Sequence, residues 1–240
     1  MIARACRAGI ALAVFLAAAG PGLAASPPGH KPGRGSIGAA IGGSMFTADG
    51  DYSEGAKARF WFSAHFRYVF TPWLRGQFTP GYTWSSYDAS PAPFTDLNFP
   101  EDQTKAEYLT QIVPATVQLQ YTTLRGAWLY HAGAGGGLYR VWVENRRKVL
   151  KDPATYELHR AVYPGLTGEI GAAYYFKERP DVSVDVTTGA DWVFAEDDEA
   201  FVSGWNSFIL VNHLRVGINY HFDVGSAAAS AESAPEVPAP

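Results

Sequence analysis

Cysteine is nearly missing from this chain. Its single example, Cys6, lies ahead of an apolar run, Gly9 to Ala19, that is preceded by Arg4 and Arg7 and followed by the small pair Ala24-Ala25. Basic start, short apolar core and small exit residues make a secretory signal over 1–25. Because Cys6 stands before the apolar core and not after it, it is no lipoprotein acceptor. With the signal removed the chain holds no thiol, which excludes disulfides and cysteine catalysis. Long apolar runs are missing too: beyond the signal nothing approaches the roughly 20 apolar residues of a membrane helix. Charge is scarce, at 18% of residues against about 25% in ordinary soluble domains. The net charge of −4 is mild and no basic stripe appears, so a nucleic-acid partner is not expected.

Aromatic residues, at 14%, and glycine are plentiful instead, and they fall into a period of two. From Phe208 to Phe222 one row reads Phe208, Leu210, Leu214, Val216, Ile218, Tyr220, Phe222, broken only by Asn212; the other reads Ile209, Val211, His213, Arg215, Gly217, Asn219, His221. This is a long β-strand with one oily and one largely polar face. Seven earlier segments alternate in the same way: Ser36–Phe46, Lys57–Phe70, Leu74–Tyr87, Tyr108–Thr122, Ala127–Val143, Ala161–Phe176 and a stretch beginning at Val182. Their connections alternate short (Thr71–Trp73, Thr123–Arg125, Lys177–Asp181) and long (Thr47–Ala56, Asp88–Glu107, Glu144–Arg160, Ala195–Gly204). Eight strands with that asymmetry predict an all-β fold: an eight-stranded antiparallel up-and-down transmembrane β-barrel with both termini on the periplasmic side.

A soluble barrel would turn its oily row inward and cover the outside with charge. Here the polar row is mostly Gly, Ala, Ser, Thr and Gln, too poor in charge for a soluble surface but suited to a narrow lumen. Aromatics near strand ends (Trp73, Trp84, Tyr174, Trp192, Tyr220, Phe222) suit the two membrane interfaces. Pro80, Pro114 and Pro164 fall inside strands, where proline removes a ladder donor, and β-bulges are expected there. Segment 26–35 reads as a disordered leader, 36–222 as the barrel, and 223–240 as a disordered Ala/Pro-rich tail.

The end of the last strand, Arg215-x-Gly217-x-x-Tyr220-x-Phe222, resembles the terminal assembly signal of bacterial outer-membrane barrels, although there the aromatic residue is usually the last of the chain. Ile112 to Tyr121 resembles the Pro-x-x-x-x-Leu-x-Tyr strand common in them. The chain from Ser36 to Phe222 is thus similar to the small outer-membrane barrels that include OmpX, OmpW and the membrane domain of OmpA. That resemblance implies insertion by the barrel-assembly machinery and surroundings of outer-membrane lipid and lipopolysaccharide. It fixes no activity and no loop partner, since such barrels host anchors, adhesins, conduits and lipid-modifying enzymes.

Six charged residues share lumen parity: Arg67, Arg75, Glu169, Asp185, Asp191 and Arg215. In a narrow interior they are expected to pair into a polar network that fills the lumen, with glycines of the first and fifth strands making room for bulky Arg or Trp side chains. His65, His213, His221 and Ser183 add the residue types of a hydrolytic triad, but the local His-x-Ser pattern of lipid A deacylase barrels is missing. Gly133–Gly137 lacks the Gly-Lys-Ser/Thr that would make a phosphate loop. Glu196–Glu199 is read as a solvated charge run. The sequence therefore predicts no enzyme, cofactor or metal site. It predicts a structural or surface-interaction barrel, with a narrow pore as the alternative and a lipid-modifying enzyme third.

Overall fold

The computed structural model describes residues 29–48, 56–89, 97–98, 106–151, 156–195 and 208–224. The expected signal (1–25), most of the tail and the acidic run Glu196–Glu199 lie outside them. Nine strands follow in order: β1 (Arg34–Ala48), β2 (Arg59–Thr71), β3 (Leu74–Ala89), β4 (Ala106–Arg125), β5 (Trp128–Asn145), β6 (Lys148–Val149), β7 (Arg160–Tyr175), β8 (Val182–Val193) and β9 (Ile209–Asp223). Each long strand pairs antiparallel with its sequence neighbour, β9 pairs with β1, and the two-residue β6 only extends the end of β5. The eight long strands close into a barrel, so no sheet edge is left open.

Burial alternates with sequence, most regularly on β2 and β9. On β9, Val216, Ile218 and Tyr220 are 50–58% exposed while Arg215, Asn219 and His221 are 1–6% exposed. The oily row faces out on every long strand, including Ile37 and Ile41 of β1, Val117 and Leu119 of β4, and Leu138 of β5. A wall that is apolar outside and closed on itself is the solution for β-structure in hydrocarbon, because every backbone group finds a partner within the ring. Aromatic pairs ring both ends. Trp73–Tyr121 and Trp128–Tyr174 sit at the end that carries the short turns, the turn end. Tyr82–Trp142 and Trp192–Phe194 sit at the end that carries the long connections, the loop end.

Three expectations change. The expected bulges at prolines are not formed: the β2–β3 and β3–β4 registers run unshifted past Pro80 and Pro114, and the shift in β2–β3 lies between Val69 and Thr71. The ladders instead skip rungs, between the pairs Ser63↔Gly81 and Phe66↔Phe78, and between Pro80↔Ala115 and Thr83↔Ile112. Each gap contains a proline, whose nitrogen has no hydrogen to donate. Pro164 needs no gap, because β8 pairing begins one residue later, at Gly165↔Val193. A shallow apolar groove of about 760 Å³ lies on the outer wall over this seam, floored by Ala39, Ala64 and Gly81.

Of the expected disordered leader, residues 29–35 are placed against the turn end. His30 is 1% exposed, with Nε2 3.1 Å from both the Pro72 carbonyl and Thr122 Oγ1. Gly33, at φ +83°, turns the chain into β1 and donates its N–H to Val69 O at 2.9 Å. Strand β4 also runs further than expected, to Arg125, and hands over to β5 through a two-residue turn that begins with Gly126 at φ +61°.

Candidate functional site

The lumen is where the charged residues meet. Near the turn end, Arg67 Nη2 lies 2.6 Å from Asp185 Oδ2, and its other nitrogens donate to Gln77 Oε1 and Asn219 Oδ1. Arg215 Nη2 lies 2.5 Å from Glu169 Oε2, Nη1 donates to Ser63 Oγ at 3.2 Å, and the guanidinium stands 5.6 Å over the Trp61 ring. Gln77 joins the two pairs by donating to Glu169 Oε1 at 2.9 Å. Arg75 enters through Gln120, which accepts from Arg75 Nε and donates to the same Glu169 oxygen. Five of the six charged residues therefore form one connected set. Asp191 stands apart, higher in the lumen, where Tyr139 Oη donates to it at 3.2 Å and His213 Nε2 lies 4.0 Å away.

Every long strand except β1 and β5 supplies a side chain to this set or its bridging amides, and the period of two aims all of them inward. Burying three guanidiniums is tolerable because carboxylates and side-chain amides surround them. Glycines of the first and fifth strands do make room, but for other side chains than Arg or Trp: a Cβ on Gly133 would come within 2.6 Å of Gln120 Cγ, and one on Gly38 within 2.7 Å of Asn219 Oδ1. Sequence reasoning missed the amides Gln77, Gln120 and Asn219 as bridges. Their signal was present, since glutamines and asparagine stand at inward positions beside the charged ones.

The expectation of a lumen filled throughout by polar groups is corrected by its loop half. There Phe46, Trp61, Tyr139, Val141, Val143, Val193, Ile209 and Val211, each 2% exposed or less, meet in one apolar cluster, interleaved with the buried polar side chains Ser44, Thr83, Ser85, Thr110 and Asn145. These side chains are shielded from solvent, so they fill the space at no desolvation cost. The interior thus has two storeys: the connected charged set lies toward the turn end, above the small apolar cluster of Leu124, Leu129, Ala173 and Tyr175, and the larger apolar cluster lies toward the loop end. In the polar storey the space between His65, Arg67, Gln77, Asp185 and Arg215 amounts to about 10 Å³, room for at most one water.

Parts of the triad residue set do meet. Ser183 Oγ lies 2.9 Å from His221 Nε2, and the His221 ring packs against Tyr175 with centroids 4.9 Å apart. Among the described residues no carboxylate is hydrogen-bonded to His221. Ser183 and His221 are buried, at 1% and 4% exposed.

The assembly-signal residues divide between the faces. Arg215 and Gly217 look inward, Tyr220 is 52% exposed on the outer wall, and Phe222 packs 6.5 Å from Phe66. Their strand is enclosed between β1 and β8 and so closes the ring.

No protein-family model and no curated protein sequence matches the chain. Among solved structures it is similar to the outer membrane protein OprG from Pseudomonas aeruginosa, at 18% identity over 81% of this chain and 98% of that one, TM-score 0.46. It is similar to Neisserial surface protein A at 15% identity over 79% and 97%, TM-score 0.48. It is also similar to the attachment invasion locus protein Ail of Yersinia pestis, solved with the heparin analogue sucrose octasulfate, at 12% identity over 80% and 99%, TM-score 0.45. The likeness is one of fold, and the structures this chain resembles are small outer-membrane β-barrels.

Proposed function

We propose that the chain is an integral outer-membrane barrel with a structural or surface-interaction role, its termini in the periplasm and its long connections outside. The observation that carries this reading is the closed interior. The space left between Arg67, Gln77, Asp185 and Arg215 amounts to about 10 Å³, and a cluster of buried apolar side chains lies beyond it toward the loop end, which supports a filled lumen. The short-turn and long-loop asymmetry supports the orientation, as it does in bacterial barrels generally. Outer-membrane lipid and lipopolysaccharide then form its surroundings, and the barrel-assembly machinery inserts it. Such a protein works through the surface it presents, at the loop end and on the outer wall. A planar-bilayer recording on the refolded protein tests this: no steady ohmic conductance is expected, and a stable open channel reproduced across preparations would replace the structural reading with a conduit.

A further inference from the structure

The outer wall of β5 and β7 departs from the pattern of the others just above its apolar band. Leu138 and Val162 are 58% and 59% exposed and face hydrocarbon. The next outward positions are Arg140 on β5 and Arg160 on β7, both exposed. Leu138 stands ten residues along β5 from Trp128, roughly 25 Å along the membrane normal at about 3.3 Å per residue and a tilt near 40°, which is the height of the apolar band. Arg140 and Arg160 therefore stand at the level of lipid headgroups and point away from the barrel.

Their geometry is that of a bracket. Arg160 is paired directly across from Trp142, and Arg140, two residues before Trp142, holds its guanidinium 5.8 Å from the ring centroid, while the indole Nε1 donates to Glu144 Oε1 at 3.2 Å. Diagonal positions on paired strands lie about 7–8 Å apart, so Arg140 and Arg160 rise from one patch of wall and both side chains are long enough to reach one phosphate. Neither arginine makes an ion pair among the described residues, although like charges so close repel. Above them the β5–β6 hairpin is closed by Arg146 and Arg147 at φ +47° and +69°. Positive φ at both central positions is the geometry that Asn-Gly favours, yet here it holds two arginines, followed by Lys148.

We propose that Arg140, Trp142 and Arg160, overhung by the basic hairpin, form a binding site for the phosphate groups of an outer-leaflet glycolipid of the lipid A type. Guanidiniums recognise phosphate through paired, charge-assisted hydrogen bonds. The position commits the ligand to the membrane, because the bracket opens sideways at headgroup height and a bound acyl chain would continue down the apolar wall below Leu138. The proposal rests on the membrane reading above.

The test titrates refolded protein in a neutral detergent with diphosphorylated lipid A, dephosphorylated lipid A and a short heparin fragment, and reads bound ligand by native mass spectrometry. The wild type is expected to prefer the phosphorylated lipid, and R140Q/R160Q to bind it roughly tenfold more weakly. The second variant, R146N/R147G, removes the overhanging charge while supplying the residues the turn geometry favours, and a smaller loss is expected from it. Unchanged binding by R140Q/R160Q, or equal binding of dephosphorylated lipid by the wild type, would overturn the site. Heparin bound as tightly as lipid A would overturn the membrane ligand in favour of a soluble polyanion. Heat-modifiable gel mobility after insertion into neutral vesicles separates the two readings. Loss of phosphate preference with insertion intact removes the site alone, whereas failure of the wild type to insert removes the membrane reading and the site with it.

Discussion

Arg215 of β9 and Glu169 of β7, 46 residues apart in sequence, meet across the lumen at 2.5 Å. Glu169 also accepts from Gln77 and Gln120, so it is the point through which both ion pairs and Arg75 are connected. Arg215→Ala leaves that carboxylate buried with its amide partners alone, and a loss of about 3–5 kcal/mol is expected in urea refolding titrations. Replacing both partners by leucine should recover most of the loss, because no charge is then left uncompensated. A single variant as stable as the wild type would show that the pair contributes nothing.

On the outer wall the cost of charge should depend on depth. Val216 lies mid-strand on β9, whereas Tyr220 stands at the turn end, paired with Val182 at the start of β8. Val216→Arg is expected to cost about 2–4 kcal/mol and Tyr220→Arg about 0–1 kcal/mol in vesicle refolding. Equal costs would mean that the wall is not crossed by a bilayer in this orientation.

His30 gives a pH dependence outside the spanning strands. Burial, reinforced by the positive charge of Arg75, lowers its pKa from 6.5 to about 4, against the opposing bond to the Pro72 carbonyl. The fold binds the neutral ring, so this contribution is complete above pH 6.5 and is lost as pH falls toward 4. The gap corresponds to at most about 3 kcal/mol. The stability difference between wild type and His30→Gln should therefore shrink between pH 7 and pH 4.5, a comparison in which the lumen histidines cancel. A difference that does not change over that range would exclude the link.

Assembly should depend on Phe222 and not on the residues after Val224. Asp223 pairs with Arg34 at 3.3 Å and the Val224 N–H donates to Gly33 O at 3.1 Å, so both belong to the closure of the ring. Truncation after Val224 is expected to leave membrane insertion intact, and truncation before Phe222 to impair it, as read by fractionation and heat-modifiable mobility. Loss of insertion in the longer truncation product would place the signal in the tail.

The barrel and its inside–outside sense were legible because a period of two reports directly on which face a residue occupies; Val216 and Arg215 could hardly be assigned otherwise. The two storeys were less legible. Val141, Val143, Ile209 and Val211 stand at inward positions and break the polar row, but parity gives no depth, so their convergence at one end emerges only from the register. The proline gaps were hidden for a related reason: one strand shows the missing donor, and only the paired neighbour shows whether the ladder shifts or skips. His30 gave no sequence signal, because its partners Pro72 and Thr122 lie 42 and 92 residues away.

The skipped rungs have a mechanical consequence. A closed ring resists peeling because each hairpin is held on both flanks, and in hydrocarbon every broken backbone bond costs several kcal/mol. Strands β2 and β3 are joined by a ladder interrupted beside Pro80 that holds 8 paired rungs, against 10 or more in every other ladder between long strands, so fewer bonds must rupture there. If the protein is pulled from a bilayer by its end, the force needed to extract the β2–β3 hairpin should fall below that for the β4–β5 hairpin, whose ladder runs unbroken from Tyr108↔Asn145 to Arg125↔Trp128.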